Sequence, residues 1–196
     1  MDSEPLYTLH YFGLYARAEP IRMLLNKAGV NFVDRRVTFE EWGEIKPTMP
    51  GGVLPVLEFK DSTMMGESLD IFRYVAEQHG FIPEGFGDDV NNYFGVWKQV
   101  LEAITPPPFV NDPEVKEQKI QAAFEQSTNF LKEHDAAFGS GQWLVNNQLS
   151  AADFAIGSLY TNYFNNPACY GFDRFQELMN EFPNFKAYGE RFAAEN

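Results

Sequence analysis

A chain of 196 residues that is 44% hydrophobic and 16% aromatic, with 19 Phe, holds ample material for packed cores, which excludes disorder. A net charge of −13, divided as −4 up to Pro83 and −9 beyond it, excludes a surface matched to nucleic acid or anionic lipid. The single cysteine, Cys169, excludes an internal disulfide, and no apolar run is long enough to span a bilayer; Met1 to Pro5 carry Asp2 and Glu4 instead of a basic, apolar leader, so the expectation is a cytosolic chain without a membrane partner.

Residues 6–12 are β-rich, with Tyr7, Leu9 and Tyr11 alternating onto one face. Ile21, Leu24, Leu25 and Ala28 then recur at the spacing of one helix face, and Gly29 is a suitable stop. Residues 32–37 read as a second strand. Pro50-Gly51-Gly52 signals a turn, followed by a short β-run over 53–59 with Pro55 inside it. Lys60-Asp61-Ser62 turns the chain into residues 63–65. Ser68 reads as the N-cap of a helix over 69–79, stopped by Gly80. The order is βαβ and then ββα, assigned to a domain over 1–82.

Residues 83–89 read as a linker, with Pro83, Gly85 and Gly87. From 90 to 196 the pattern is helical throughout. A first helix over 90–105 is interrupted by Pro106-Pro107-Pro108. Asp112-Pro113 supplies a cap and a first-turn proline for a helix running toward His134. Ser150-Ala151-Ala152-Asp153 forms a capping box with Asp in place of Glu, and Leu149 and Phe154 stand at the staple positions of a helix to about Phe164. Two short helices near 172–180 and 185–194 complete the chain. The fold class is therefore α/β plus all-α.

Five local sequences in this order carry a resemblance. Tyr11-Phe12-Gly13-Leu14-Tyr15-Ala16-Arg17-Ala18-Glu19 resembles the first strand–helix junction of sigma-class cytosolic glutathione transferases. Trp42-Gly43-Glu44-Ile45-Lys46, Gly52-Val53-Leu54-Pro55-Val56-Leu57-Glu58 and Glu67-Ser68-Leu69-Asp70-Ile71-Phe72-Arg73-Tyr74 resemble the family's next three glutathione-contacting segments. Trp143-Leu144 with Leu149-Ser150-Ala151-Ala152-Asp153-Phe154 resembles its capping region in the helical domain. The resemblance implies a thioredoxin-like βαβββα domain, a helical-bundle domain, a homodimer, and transfer of glutathione to apolar electrophiles. Some sigma-class relatives isomerise prostaglandin-like endoperoxides instead.

The chemistry asks for a group that favours a thiolate. A cysteinyl thiol has a pKa of roughly 8.5, and lowering it by two units takes roughly 2.7 kcal/mol of anion stabilisation. One charge-assisted hydrogen bond supplies about 1.5–3 kcal/mol, so one positioned hydroxyl provides most of it. The resemblance gives that role to Tyr11 over its neighbours Tyr7 and Tyr15; by itself Tyr11 is an aromatic on an alternating strand. It places Arg17 near the sulfur, where the alternative is a salt bridge to Glu19 or another carboxylate. It implies a cis bond before Pro55, so that the Leu54 backbone pairs with the cysteinyl backbone of glutathione. It gives Glu67 and Ser68 to the γ-glutamyl end, at a helix N-terminus suited to a carboxylate. Glu67 departs from the usual glutamine. Trp42 and Lys46 match the residues that hold the glycyl end; Val53 replaces a residue that is often basic, leaving its backbone to help. Glu102 falls about where the family has an acidic residue reaching the other subunit's glutathione.

The electrophile is expected in an apolar cleft between the domains, walled by Phe12, Leu14, Tyr15 and residues 100–109, with Tyr160 and Phe164 also considered. His10, His79 and His134 lack metal-ligand spacing, so no metal is expected. The competing reading is a crystallin-like or ligand-binding relative without catalysis. A thioredoxin-type redox protein is disfavoured, because the front domain has no cysteine.

Overall fold

The computed structural model describes residues 4–104 and 112–196. They form two compact units, one ending at Phe81 and the other starting at Ile82. The expected interruption at Pro106-Pro107-Pro108 lies outside the described residues.

The first unit has strands β1 (Tyr7–Phe12), β2 (Phe32–Val37), β3 (Val56–Phe59) and β4 (Met64–Met65), with helices α1 (Glu19–Lys27), α2 (Phe39–Ile45) and α3 (Ser68–Gln78). The sheet order is β2-β1-β3-β4. The α1 crossover makes β1 and β2 parallel; β3 runs antiparallel to β1, and a short turn after it makes β3–β4 antiparallel. Ile21, Leu24 and Leu25 on α1 and Ile71, Phe72, Val75 and Ala76 on α3 are fully buried, as are Leu9, Val56 and Leu57 on the sheet. The apolar stripes legible in the sequence are the faces that close this core. Gly29 and Gly80 take φ of +66° and +76° just past α1 and α3, conformations that a side chain would strain.

Helix α2 is an addition to the sequence reading. The Thr38 hydroxyl accepts the Glu41 N–H at 3.1 Å, and the Glu41 carboxylate accepts the Thr38 N–H at 2.9 Å. That capping box is present in the sequence, but α2 buries none of its residues and contains Gly43, so no apolar periodicity announces it. The start of α3 corrects a second expectation. Its N-cap is Glu67, at φ 63° and ψ 113°, and Ser68 is the first helical residue. The sharp turn at Glu67 swings the chain into the helix one residue earlier than a serine cap requires.

The second unit contains α4 (Gly87–Ile104), α5 (Pro113–Phe138), α6 (Ala151–Leu159), α7 (Phe172–Glu181) and α8 (Pro183–Glu195). Asp112 caps α5 as its sequence suggests, accepting the Glu114 and Val115 N–H groups at 2.9 and 3.1 Å. The helix continues past His134 because Phe138 buries against Phe185 and Tyr188. Every residue of α6 is buried. Its capping box forms: Asp153 accepts the Ser150 N–H at 2.9 Å, and its other oxygen takes the Leu144 N–H at 3.0 Å and the Tyr188 hydroxyl at 3.1 Å. Burial raises the Asp153 pKa, and these donors oppose that shift. Gly157 and Gly189 let rings pack directly on backbone, under Phe192 and Tyr160 respectively. The α6 helix ends in a π turn over Tyr160–Phe164.

Candidate functional site

Strand β1 delivers Tyr11 at its C-terminal end, and its neighbours explain its state. The residue is 6% exposed. Burial raises the pKa of its hydroxyl, opposed by the Arg17 backbone N–H bonded to it and by the charges of Arg17 and Arg22. The phenol therefore stays neutral near pH 7. Its oxygen accepts from Arg17 N–H, which leaves its own proton available to donate. Arg17 sits in a short 3-10 turn over Ala16–Ala18, entered through Ala16 at φ 35°. The turn brings the Arg17 amide back to the strand it follows.

Arg22 holds that turn in place, and the sequence reading missed it. Its side chain is 4% exposed. The guanidinium donates to the Leu14 carbonyl at 2.8 Å, the Phe12 carbonyl at 3.4 Å, Glu19 at 3.0 Å and Asp34 at 3.0 Å. It lies 5.7 Å from the centre of the Tyr11 ring. The Glu19 carboxylate that was a possible partner for Arg17 is thus bonded to Arg22. The signal was available: Ala18, Ile21, Arg22 and Leu25 share one buried helix face, and a charge on such a face requires a buried partner.

The sheet register brings a second segment to Tyr11. His10 pairs with Val56 across β1 and β3. Continuing that antiparallel register by one residue puts Pro55 opposite Tyr11. The Leu54–Pro55 bond is cis, as expected, and Pro55 is buried.

The remaining segments meet in sequence around this point. Phe12 lies edge-on to Trp42, with ring centres 5.7 Å apart, and stacks on Phe39 at 4.9 Å. The Lys46 N–H bonds to the Trp42 carbonyl, and the Lys46 stem runs over Gly52, which has φ +61°. A Cβ on Gly52 would meet Lys46 Cε at 3.5 Å. Gly66 packs on Pro50, which places Glu67 and the buried Ser68 beside the turn that leads to Val53 and Leu54. Lys46, Val53 and Glu67 are exposed. Tyr11, Arg17, Trp42, Lys46, Val53, Leu54, Pro55, Glu67 and Ser68 all belong to the first unit. Glu102 belongs to α4 in the other unit and is exposed there.

Two expected pocket walls are corrected. Tyr160 and Phe164 are 2% and 0% exposed. They pack on Phe185, with ring centres 5.9 and 5.1 Å away, and so fill the core of the second unit. Leu14 and Tyr15, by contrast, are 44% and 53% exposed. Cys169 is half-buried, and burial pushes its thiol up to about 11, so it is a poor nucleophile near neutral pH. Among the described residues, no group of three or more His, Cys, Asp or Glu side chains is arranged to hold a metal ion. Among them, no helix is long and apolar enough to cross a membrane.

The first unit thus carries a buried phenol opposite a cis proline, and a helix N-terminus at Ser68, on a thioredoxin-like sheet. Residues 16–84 match the family description "Glutathione S-transferase, N-terminal domain", and residues 97–196 match "Glutathione S-transferase, C-terminal domain". The chain belongs to the glutathione S-transferase family. It is 33% identical over 165 residues to the glutathione S-transferase class-mu 28 kDa isozyme of Schistosoma japonicum, covering 76% of each chain. It is 29% identical over 165 residues to S-crystallin 4 of Enteroctopus dofleini, covering 76% of this chain and 77% of that one. The fold matches the solved structure of monomeric Na-GST-3, a glutathione S-transferase of the hookworm Necator americanus, at TM-score 0.82 and 24% identity, covering 96% and 92% of the two chains.

Proposed function

We propose that this chain conjugates glutathione to apolar electrophiles and that the Tyr11 hydroxyl stabilises the glutathione thiolate. The observation that carries this reading is the state of Tyr11: a buried phenol with a raised pKa, accepting from the Arg17 N–H and so poised to donate. A neutral donor meets a sulfur anion better than a phenolate would, and the nearby guanidinium charges favour the same anion. In this reading Leu54 pairs with the cysteinyl backbone beside Pro55. The helix N-terminus at Ser68 takes the γ-glutamyl carboxylate, and Glu67 takes its ammonium. Trp42 and Lys46 hold the glycyl carboxylate, with Val53 contributing backbone. Arg17 adds positive charge near the sulfur. Once formed, the thiolate attacks the electrophilic carbon and the leaving group departs, with no metal involved.

The family likeness also motivates a homodimer in which Glu102 reaches the other subunit's glutathione. Sedimentation equilibrium at micromolar concentration tests this directly, and a single-chain mass at every concentration overturns it. The similarity to S-crystallin 4 supports a second reading, a non-catalytic protein that retains the fold. One experiment separates the two. Conjugation of glutathione to a chromogenic electrophile is measured for the native protein and for Tyr11→Phe, alongside calorimetric binding of glutathione. Turnover that collapses in the variant while binding persists supports the Tyr11 mechanism. Binding without turnover in the native protein supports the crystallin-like reading. A panel that includes endoperoxides tests isomerase activity.

A further inference from the structure

Away from Tyr11, at the other end of the sheet, the first unit has an open cavity of about 690 Å³, within the size range of small-molecule sites. Tyr7 begins β1, four residues or about 13 Å before Tyr11. Phe59 ends β3, and Tyr74 and His79 lie toward the C-terminal end of α3, whereas Pro55 and Ser68 stand at the opposite ends of those two elements. These four rings line the cavity. Tyr7, Phe59 and Tyr74 are mutually perpendicular: their planes meet pairwise at 80–85°, with centres 5.4–6.4 Å apart. The His79 ring stands at 83° to Tyr7, with centres 6.0 Å apart. Tyr7 is buried, and the other three rings are partly exposed.

The charges favour one kind of occupant. Burial pushes the Tyr7 hydroxyl up to about 12 and lowers the His79 pKa, so neither is charged near pH 7. At the rim, Asp61 accepts the Thr63 hydroxyl at 2.6 Å and the Thr63 N–H at 3.0 Å, which keep its carboxyl ionised. Among the described residues lining the cavity, Lys60 is the only cation near pH 7, and Glu4 lies 4.0 Å from it. The rim therefore carries more acid than base, aromatic faces are themselves partly negative, and a chain of net charge −13 draws cations from solution. Shape points the same way. A flat ring cannot lie face-on against perpendicular walls, so it stacks on one of the three; a rounded cation can meet all three. We infer that this corner binds small quaternary ammonium compounds, with the cation facing Tyr7, Phe59 and Tyr74 at about 4 Å from each ring centre and Asp61 supplying the counter-charge. The site stands apart from Tyr11 and does not rest on the glutathione reading.

The test follows backbone amide resonances of the native protein during titration with choline and, separately, with 3,3-dimethyl-1-butanol, which has the same shape but no charge. The expected result is a saturable choline response centred on residues 59–63 and 74–80, with the neutral alcohol at least about ten-fold weaker. Tyr74→Leu keeps an apolar, helix-forming side chain but removes one ring face, and should weaken choline at least about five-fold. Asp61→Asn keeps an acceptor for Thr63 but removes the charge, and should weaken choline about three-fold. Equal binding of choline and the alcohol, choline shifts centred elsewhere, or no saturable choline response overturns the inference. These three outcomes are read on the native protein, so they hold even if a variant fails to fold. An unchanged choline affinity in a folded Tyr74→Leu protein overturns it as well.

Discussion

Deleting one oxygen atom at Tyr11 isolates the chemistry. Phe fills the same buried space, so the fold should persist while the donor is lost. A charge-assisted hydrogen bond of about 1.5–3 kcal/mol corresponds to about ten- to a hundred-fold in kcat/KM at pH 7. The deficit should shrink above pH 8.5, roughly where glutathione ionises without help, and a pH–rate profile of both proteins reads this. Arg22→Met should act through structure. It strands the Glu19 carboxylate, leaves Asp34 to Arg36 alone, and frees the Phe12 and Leu14 carbonyls, at a cost of about 2–4 kcal/mol in urea denaturation. Arg22→Lys keeps a charge but loses the planar fork, and should fall between. The place of Tyr11 near the end of β1 was legible because it stands in an alternating β-rich run. Arg22 was not singled out although its helix face marks it as buried, because only Glu19 among its partners is local; the Phe12 and Leu14 carbonyls and Asp34 meet it only in the fold.

Among the elements, the caps separate burial from mere capping. Asp112 and Asp153 both begin helices through hydrogen bonds to backbone N–H groups. Asp112 is exposed, and Asp112→Ala should cost about 1 kcal/mol. Asp153 is fully buried and also satisfies Leu144 and Tyr188, so Asp153→Ala leaves buried donors unpaired and should cost about 2–4 kcal/mol. Chemical denaturation midpoints for the pair check the contrast. The strands, α1, α3 and the caps of α5 and α6 were all readable, because apolar spacing and capping chemistry are local. Helix α2 escaped because it buries no residue, and the burial of Tyr160 and Phe164 escaped because it depends on α8 meeting α6 through Gly157 and Gly189. The glycines that permit this approach look, in sequence, like any interruption of a helix.

At the scale of the whole molecule, a net charge of −13 sets the chain against itself. Raising ionic strength from about 0.01 M to about 0.15 M shortens the screening length from about 30 Å to about 8 Å. Self-repulsion should relax, raising the thermal midpoint by about 2–4 °C if the gain is about 1 kcal/mol. A scan across sodium chloride concentrations measures this, and a midpoint that falls with salt would show that attractive ion pairs outweigh the repulsion. Composition alone supports this prediction, whereas the neighbours of each carboxylate become visible only in three dimensions.

The sheet order has a kinetic consequence. From Tyr7 to His10, β1 is flanked by a strand on each side, whereas β4 is a two-residue edge. Opening β1 requires detaching both neighbours, but β4 can fray alone. Amide hydrogen exchange should therefore release Met64 and Met65 early, and Leu9 and His10 only when the whole unit unfolds. On the proposed mechanism catalysis sits at the end of such a strand, so residual activity under mild denaturant should count molecules in which the whole unit is folded.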